Sequence, residues 1–76
     1  MTEQEKKLFE QAVEFFNKKD YDKSKVLYEE ILKINPKSSN IYGNLGVIYK
    51  IKGDINTAIK CYIEAIKLNP KNLLVY

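Results

Sequence analysis

The sequence predicts an all-α fold of two stacked αα-hairpins, four helices in all, and three observations carry that expectation. Residues 28–37 read YEEILKINPK and residues 62–71 read YIEAIKLNPK, so one decapeptide recurs after 34 residues. A fixed period of this size is the mark of a stacked-repeat architecture. Apolar and small residues recur at three- and four-residue steps, the spacing of a helix face. Turn signals then cut these stripes into lengths that fit two helices per repeat.

The alignment of the chain on itself extends well beyond the decapeptide. Phe15 falls on Tyr49, Asp20 on Asp54, Tyr28 on Tyr62 and Pro36 on Pro70, and residues 37–42 fall on 71–76. In the first unit Thr2 and Glu5 have capping-box spacing, and Leu8, Gln11, Ala12 and Phe15 make the first stripe. Lys19-Asp20 form the turn, and Ser24, Tyr28, Ile31 and Leu32 the second stripe. In the second unit the stripe is Tyr42, Leu45, Gly46 and Tyr49. Gly53 ends that helix, Asp54 caps the next, and Ala58, Tyr62, Ala65 and Ile66 follow before Asn69-Pro70 stops it. Loops this short force each pair into an antiparallel hairpin.

Small residues mark where the helices of a pair are expected to cross closely: Gly46 and Ala58 in one unit, Ala12 and Ser24 in the other. Phe15, Tyr28, Tyr49 and Tyr62 are then expected to fill the space beside each close contact. That makes the tyrosines core residues rather than the lining of a cofactor pocket.

The second unit, Tyr42-x2-Leu45-Gly46-x2-Tyr49 followed by Ala58-x3-Tyr62, Ala65 and Pro70, resembles a tetratricopeptide repeat in pattern and length. Tyr stands for the usual Trp and for the usual Phe. The first unit departs further: Leu8 replaces the first aromatic, Gln11 the leucine, Ala12 the glycine and Ser24 the alanine. The resemblance implies a right-handed solenoid. One domain spans residues 1–76, with repeat one at 2–38, repeat two at 39–72 and the start of a third at 73–76.

The ends of the stack differ. Ile41 and Ile48 correspond to Lys7 and Glu14, at positions where a preceding repeat would pack. They are apolar in unit two and charged in unit one, so unit one is expected to be an N-terminal end. At the other end Leu73-Leu74-Val75-Tyr76 begins another repeat. Either the chain is a piece of a longer array, or something else covers the last helix. The expected self-association face is Ile59, Ile66, Leu68, Leu73, Leu74 and Tyr76, giving a weak homodimer.

Composition excludes several function classes. The chain has 76 residues, one cysteine, no histidine and a net charge of +3. All 13 basic residues are lysines, scattered among carboxylates. A nucleic-acid binder would concentrate charge on one face and use Arg for bidentate contacts, so a solvated surface is expected instead. No apolar run approaches the roughly 18 residues of a membrane span, and no signal peptide precedes Thr2. Without histidine or a second cysteine no metal site is expected, and the setting reads as cytoplasmic. No nucleophile–base pair, phosphate loop or dinucleotide fingerprint appears, so neither catalysis nor a cofactor is expected. Glu29-Glu30 and Asp20/Asp22 fit exposed surface and turn capping. Cys61 fits a partly buried structural thiol, with no feature that would activate it.

The resemblance implies a protein–protein interaction scaffold whose concave groove, lined by the first helix of each pair, holds a peptide or helix. On this chain the groove would present Lys6, Phe9, Glu10, Val13 and Asn17 from unit one. Unit two would add Asn40, Gly43, Asn44, Val47 and Lys50. Phe9, Val13 and Val47 are more apolar than plain solvent surface predicts. Chaperone-binding members grip a terminal carboxylate with a Lys and an Asn; Phe9, Val13, Gly43 and Val47 hold those places here, so that clamp is absent. Asn44 resembles one rung of the asparagine ladder in O-linked N-acetylglucosamine transferases, while unit one has Glu10 there. An alternative is therefore the non-catalytic, substrate-recruiting arm of a larger enzyme of that kind. RNA binding, as in the related class with 35-residue units, is opposed by the 34-residue period and the absence of Arg.

Overall fold

The computed structural model describes residues 2–70, which form four helices: α1 Glu3–Asn17, α2 Tyr21–Ile34, α3 Ser39–Ile51 and α4 Ile55–Leu68. α1 packs on α2 and α3 packs on α4. The chain divides after Pro36 into two compact units, one hairpin in each.

The caps explain where each helix begins. The Thr2 hydroxyl accepts from the Glu5 backbone N–H at 3.2 Å, and the Glu5 carboxylate reaches back to Thr2, so the capping box closes. Asp20 accepts from the Lys23 N–H at 3.3 Å, and Asp54 from the Thr57 N–H at 3.2 Å, each satisfying an orphan donor of the first turn. The turns before these aspartates share one conformation with different residues. Gly53 has φ 86°, where glycine is at ease, while Lys19 holds φ 65° at the equivalent place. Asn35 and Asn69 cap the other helix ends, each just before a proline that cannot continue the helix.

In unit one Ala12, Ser24, Tyr28 and Ile31 are buried. The Ser24 hydroxyl donates to the Ala12 carbonyl at 2.8 Å, tying α2 to α1 across the close crossing. The Phe9 ring meets Tyr28 edge-on, centroids 6.0 Å apart. Phe16 and Tyr21 pair the same way across the turn, at 5.3 Å. One expected core residue is corrected: Gln11 is exposed. It follows Leu8 at a three-residue step, but Ala12 at four takes the buried place, and an amide without a buried partner stays in water.

In unit two Ile41, Leu45, Gly46, Ile48, Ala58 and Ala65 are buried. At Gly46 the nearest atoms to a built Cβ belong to the Tyr62 ring, with Cε1 at 2.7 Å, so the tyrosine fills the space beside the small residue. The Ser39 hydroxyl donates to the Ala65 carbonyl at 2.8 Å and joins the start of α3 to α4. Unit one has Glu5 at the position of Ser39, and that side chain is used in the cap instead.

Candidate partner-binding faces

Helix geometry puts residues three and four apart on one face. Lys6, Phe9, Glu10, Val13 and Asn17 therefore run along one side of α1. Asn40, Gly43, Asn44, Val47 and Lys50 run along one side of α3. On α1, Lys6, Glu10 and Asn17 are exposed, while Phe9 and Val13 are half-buried. Phe9 is held in place by its edge contact with Tyr28, so its ring is a fixed feature of that face. On α3, Asn40 and Lys50 are exposed, Asn44 is half-buried and Val47 is 38% exposed. Gly43 is half-buried, and a Cβ built on it meets nothing within 4 Å.

The two faces differ in charge. α1 carries Glu10 and Glu14 with Lys6 and Lys7, whereas α3 has no acidic residue. Between residues 37 and 70 five lysines stand against two carboxylates, so the second unit is basic. Acidic residues near a helix start and lysines near its end suit the helix dipole. Glu3 and Glu5 open α1, and Lys33, Lys50 and Lys67 close α2, α3 and α4.

A second apolar surface lies on α4. Ile55, Ile59 and Ile63, four residues apart, are 50%, 49% and 45% exposed. Ile66 and Leu68 are half-buried. Of the residues expected on this face, Leu73, Leu74 and Tyr76 lie outside the described residues. Ile55 and Ile63 were missed by sequence reasoning, although their four-residue spacing from Ile59 was the signal that could have found them. Elsewhere the chemistry is sparse. Cys61 is half-buried. Among the described residues no three His, Cys, Asp or Glu side chains gather as a metal site needs, and no helix is long and apolar enough to cross a membrane.

Comparison with known proteins agrees with this architecture. Residues 8–38 match one tetratricopeptide-repeat model and residues 39–72 match another. A probable UDP-N-acetylglucosamine–peptide N-acetylglucosaminyltransferase, SEC, from Arabidopsis thaliana is 38% identical over 52 residues. That match takes in 68% of this chain but 5% of that protein. With paired helices in each unit and a repeat model on each pair, the chain belongs to the tetratricopeptide-repeat family of helical-hairpin solenoids and is a protein–protein interaction module.

Proposed function

We propose that this module binds an extended or helical segment of another protein through the first helix of its units, on the partly exposed apolar face of α1 or of α3. The observation that carries the reading is the partly exposed apolar set on these first helices: Val47, with Phe9 and Val13. Such residues suit apolar anchors on the partner better than a bare acidic tail. Amide shifts followed during titration with peptides selected on the protein should centre on residues 6–17 and 40–50. Shifts confined to α2 and α4 would overturn the reading. So would micromolar binding of a simple acidic C-terminal peptide centred on Asn44 and Lys50. In this reading the chain is itself non-catalytic, uses no cofactor and works in the cytoplasm.

A second reading makes the module the recruiting arm of a larger enzyme. The likeness to a protein named as a peptide N-acetylglucosaminyltransferase favours it. Asn44, half-buried on α3, offers an amide that can donate to and accept from a peptide backbone. The full-length transcript decides: a reading frame without a transferase domain removes this reading. The isoleucine stripe of α4 supports a further contact, with a second copy of the chain.

A further inference from the structure

A shift of 34 residues lays the end of α1 on the end of α3: Val13, Phe16 and Asn17 fall on Val47, Lys50 and Ile51. The two ends show different things to solvent. In unit one Val13 and Phe16 are half-buried, the Phe16 ring is taken up by its edge contact with Tyr21, and the exposed residue is a polar asparagine. In unit two Val47 is 38% exposed and Ile51 47%, and Lys50 is exposed with them. Residues three and four apart on a helix are surface neighbours. Val47, Lys50 and Ile51 are therefore the corners of one triangle, two apolar and one cationic, and Ile51 lies outside the expected set.

The cation has no carboxylate of its own. Lys33, in the last turn of α2, holds Glu30 at 3.2 Å. Lys50, in the last turn of α3, is on a helix without an acidic residue, and among the described residues it makes no ion pair. Asp54 lies four residues on, beyond the helix end, where it accepts from the Thr57 N–H. Two-fold pairing of this triangle with itself would bring lysine to lysine, because an isologous contact matches a patch with its own copy. An acidic partner has no such cost.

We infer that this triangle takes a segment of the partner that carries a large apolar residue with Asp or Glu one or two positions away. The apolar side chain packs on Val47 and Ile51, and the carboxylate pairs with Lys50. The inference rests on the first-helix reading above and adds what the partner brings to α3. The apolar contact supplies most of the affinity, since an exposed ion pair contributes little by itself.

The test is selection of random linear displayed peptides on the full chain, then titration of the enriched peptides into the chain and its variants. Enriched peptides should carry the apolar–acidic pair and shift the amides of residues 47–51. Ile51→Asn, which installs the unit-one residue, should weaken them about tenfold. Ile51→Ala, gentler on the helix, should lower affinity in the same direction and decides the matter where the Asn variant loses helical circular dichroism. Lys50→Gln should weaken binding about two- to fivefold and flatten its dependence on salt. Ile34→Asn, at an exposed residue of α2, should leave affinity unchanged. Peptides that shift α3 but bind both Ile51 variants undiminished, or that carry no carboxylate and ignore Lys50→Gln, would overturn the inference and leave the first-helix reading standing. Peptides that centre on α1 alone would do the same. Shifts at residues 47–51 that grow with chain concentration in the absence of peptide would give the triangle to a second copy and overturn it as well. Failure to enrich any peptide, or shifts confined to α2 and α4, would overturn the first-helix reading itself.

Discussion

A methyl group placed on Gly46 would lie 2.7 Å from Cε1 of Tyr62, while the equivalent residue of the first unit, Ala12, carries its methyl fully buried. Each hairpin therefore sets its own compromise between backbone approach and ring position. In unit two the ring has taken the methyl's place.

Gly46→Ala should consequently destabilise the chain despite the better helix former. Overpacking costs roughly 1–3 kcal/mol, of which about 1 kcal/mol is offset by helix propensity. Gly46→Leu, with more atoms to place, should cost about 3 kcal/mol or more. Urea melts of both variants check this, and Gly46→Ala combined with Tyr62→Leu should recover much of the loss. A Leu variant as stable as the parent would show that the ring has room to leave.

Ser24→Ala is expected to be mild. The Ser24 hydroxyl bonds the Ala12 carbonyl at 2.8 Å, yet Ala58 occupies the matching place in unit two without any hydroxyl. A hydrogen bond of this kind contributes about 0.5–1.5 kcal/mol net, and the gain in helix propensity returns about half of that. Ser24→Leu should cost about 1–3 kcal/mol, because the side chain is fully buried and nothing can make way cheaply. Thermal or urea unfolding of the two variants separates the hydrogen bond from the packing.

Two groups link stability to pH with opposite signs. The Thr57 hydroxyl and backbone N–H beside Asp54 hold its carboxyl below its ordinary value of 3.8. Its stabilising effect is thus present above that value and fades as pH falls through the folded value. Asp54→Asn keeps a good cap and should flatten the unfolding midpoint below about pH 4 relative to the parent. Burial pushes the Tyr28 hydroxyl above its ordinary value of 10.0, against a smaller opposite pull from its hydrogen bond with Ser24. Stability from this group is intact below 10.0 and is lost as pH rises through the folded value. Tyr28→Phe should remove that alkaline slope; a slope unchanged in the variant would contradict the assignment.

The isoleucine stripe predicts self-association of the 76-residue chain. Two-fold pairing of one apolar patch is the commonest way to bury it. Light scattering from low micromolar to millimolar concentration should show mass rising from 8.9 kDa. Ile59→Lys or Ile63→Lys should hold it constant. A parent mass that stays fixed throughout removes the dimer.

Much of the fold was legible because its signals are local. Asp20 and Asp54 announce the helix starts by their own hydrogen bonds, and the 34-residue repeat announces the pairing. What escaped depends on where a side chain goes. The small-residue pattern marked Gly46 and the tyrosine beside it, but not how near the Tyr62 ring comes, 2.7 Å from a Cβ built there. Gln11 fitted the spacing of a stripe that its polarity kept from being buried. Ser38, at the start of α3, makes no side-chain cap bond, while Ser39 ties α3 to Ala65, a contact between residues far apart in sequence. At the site, the face of each first helix was taken from the family resemblance, whereas the open space at Gly43 depends on the fold around it.

The central claim is that partners are held on the α1 and α3 faces, and charge placed on those faces tests it most directly. Val13→Asp and Val47→Asp should each weaken a selected peptide about tenfold or more, the loss expected for an apolar anchor. Val26→Asp, at a residue 52% exposed on α2, should leave affinity unchanged. Helical circular dichroism should be preserved in all three. Affinity lost in Val26→Asp but kept in Val13→Asp and Val47→Asp would contradict the account.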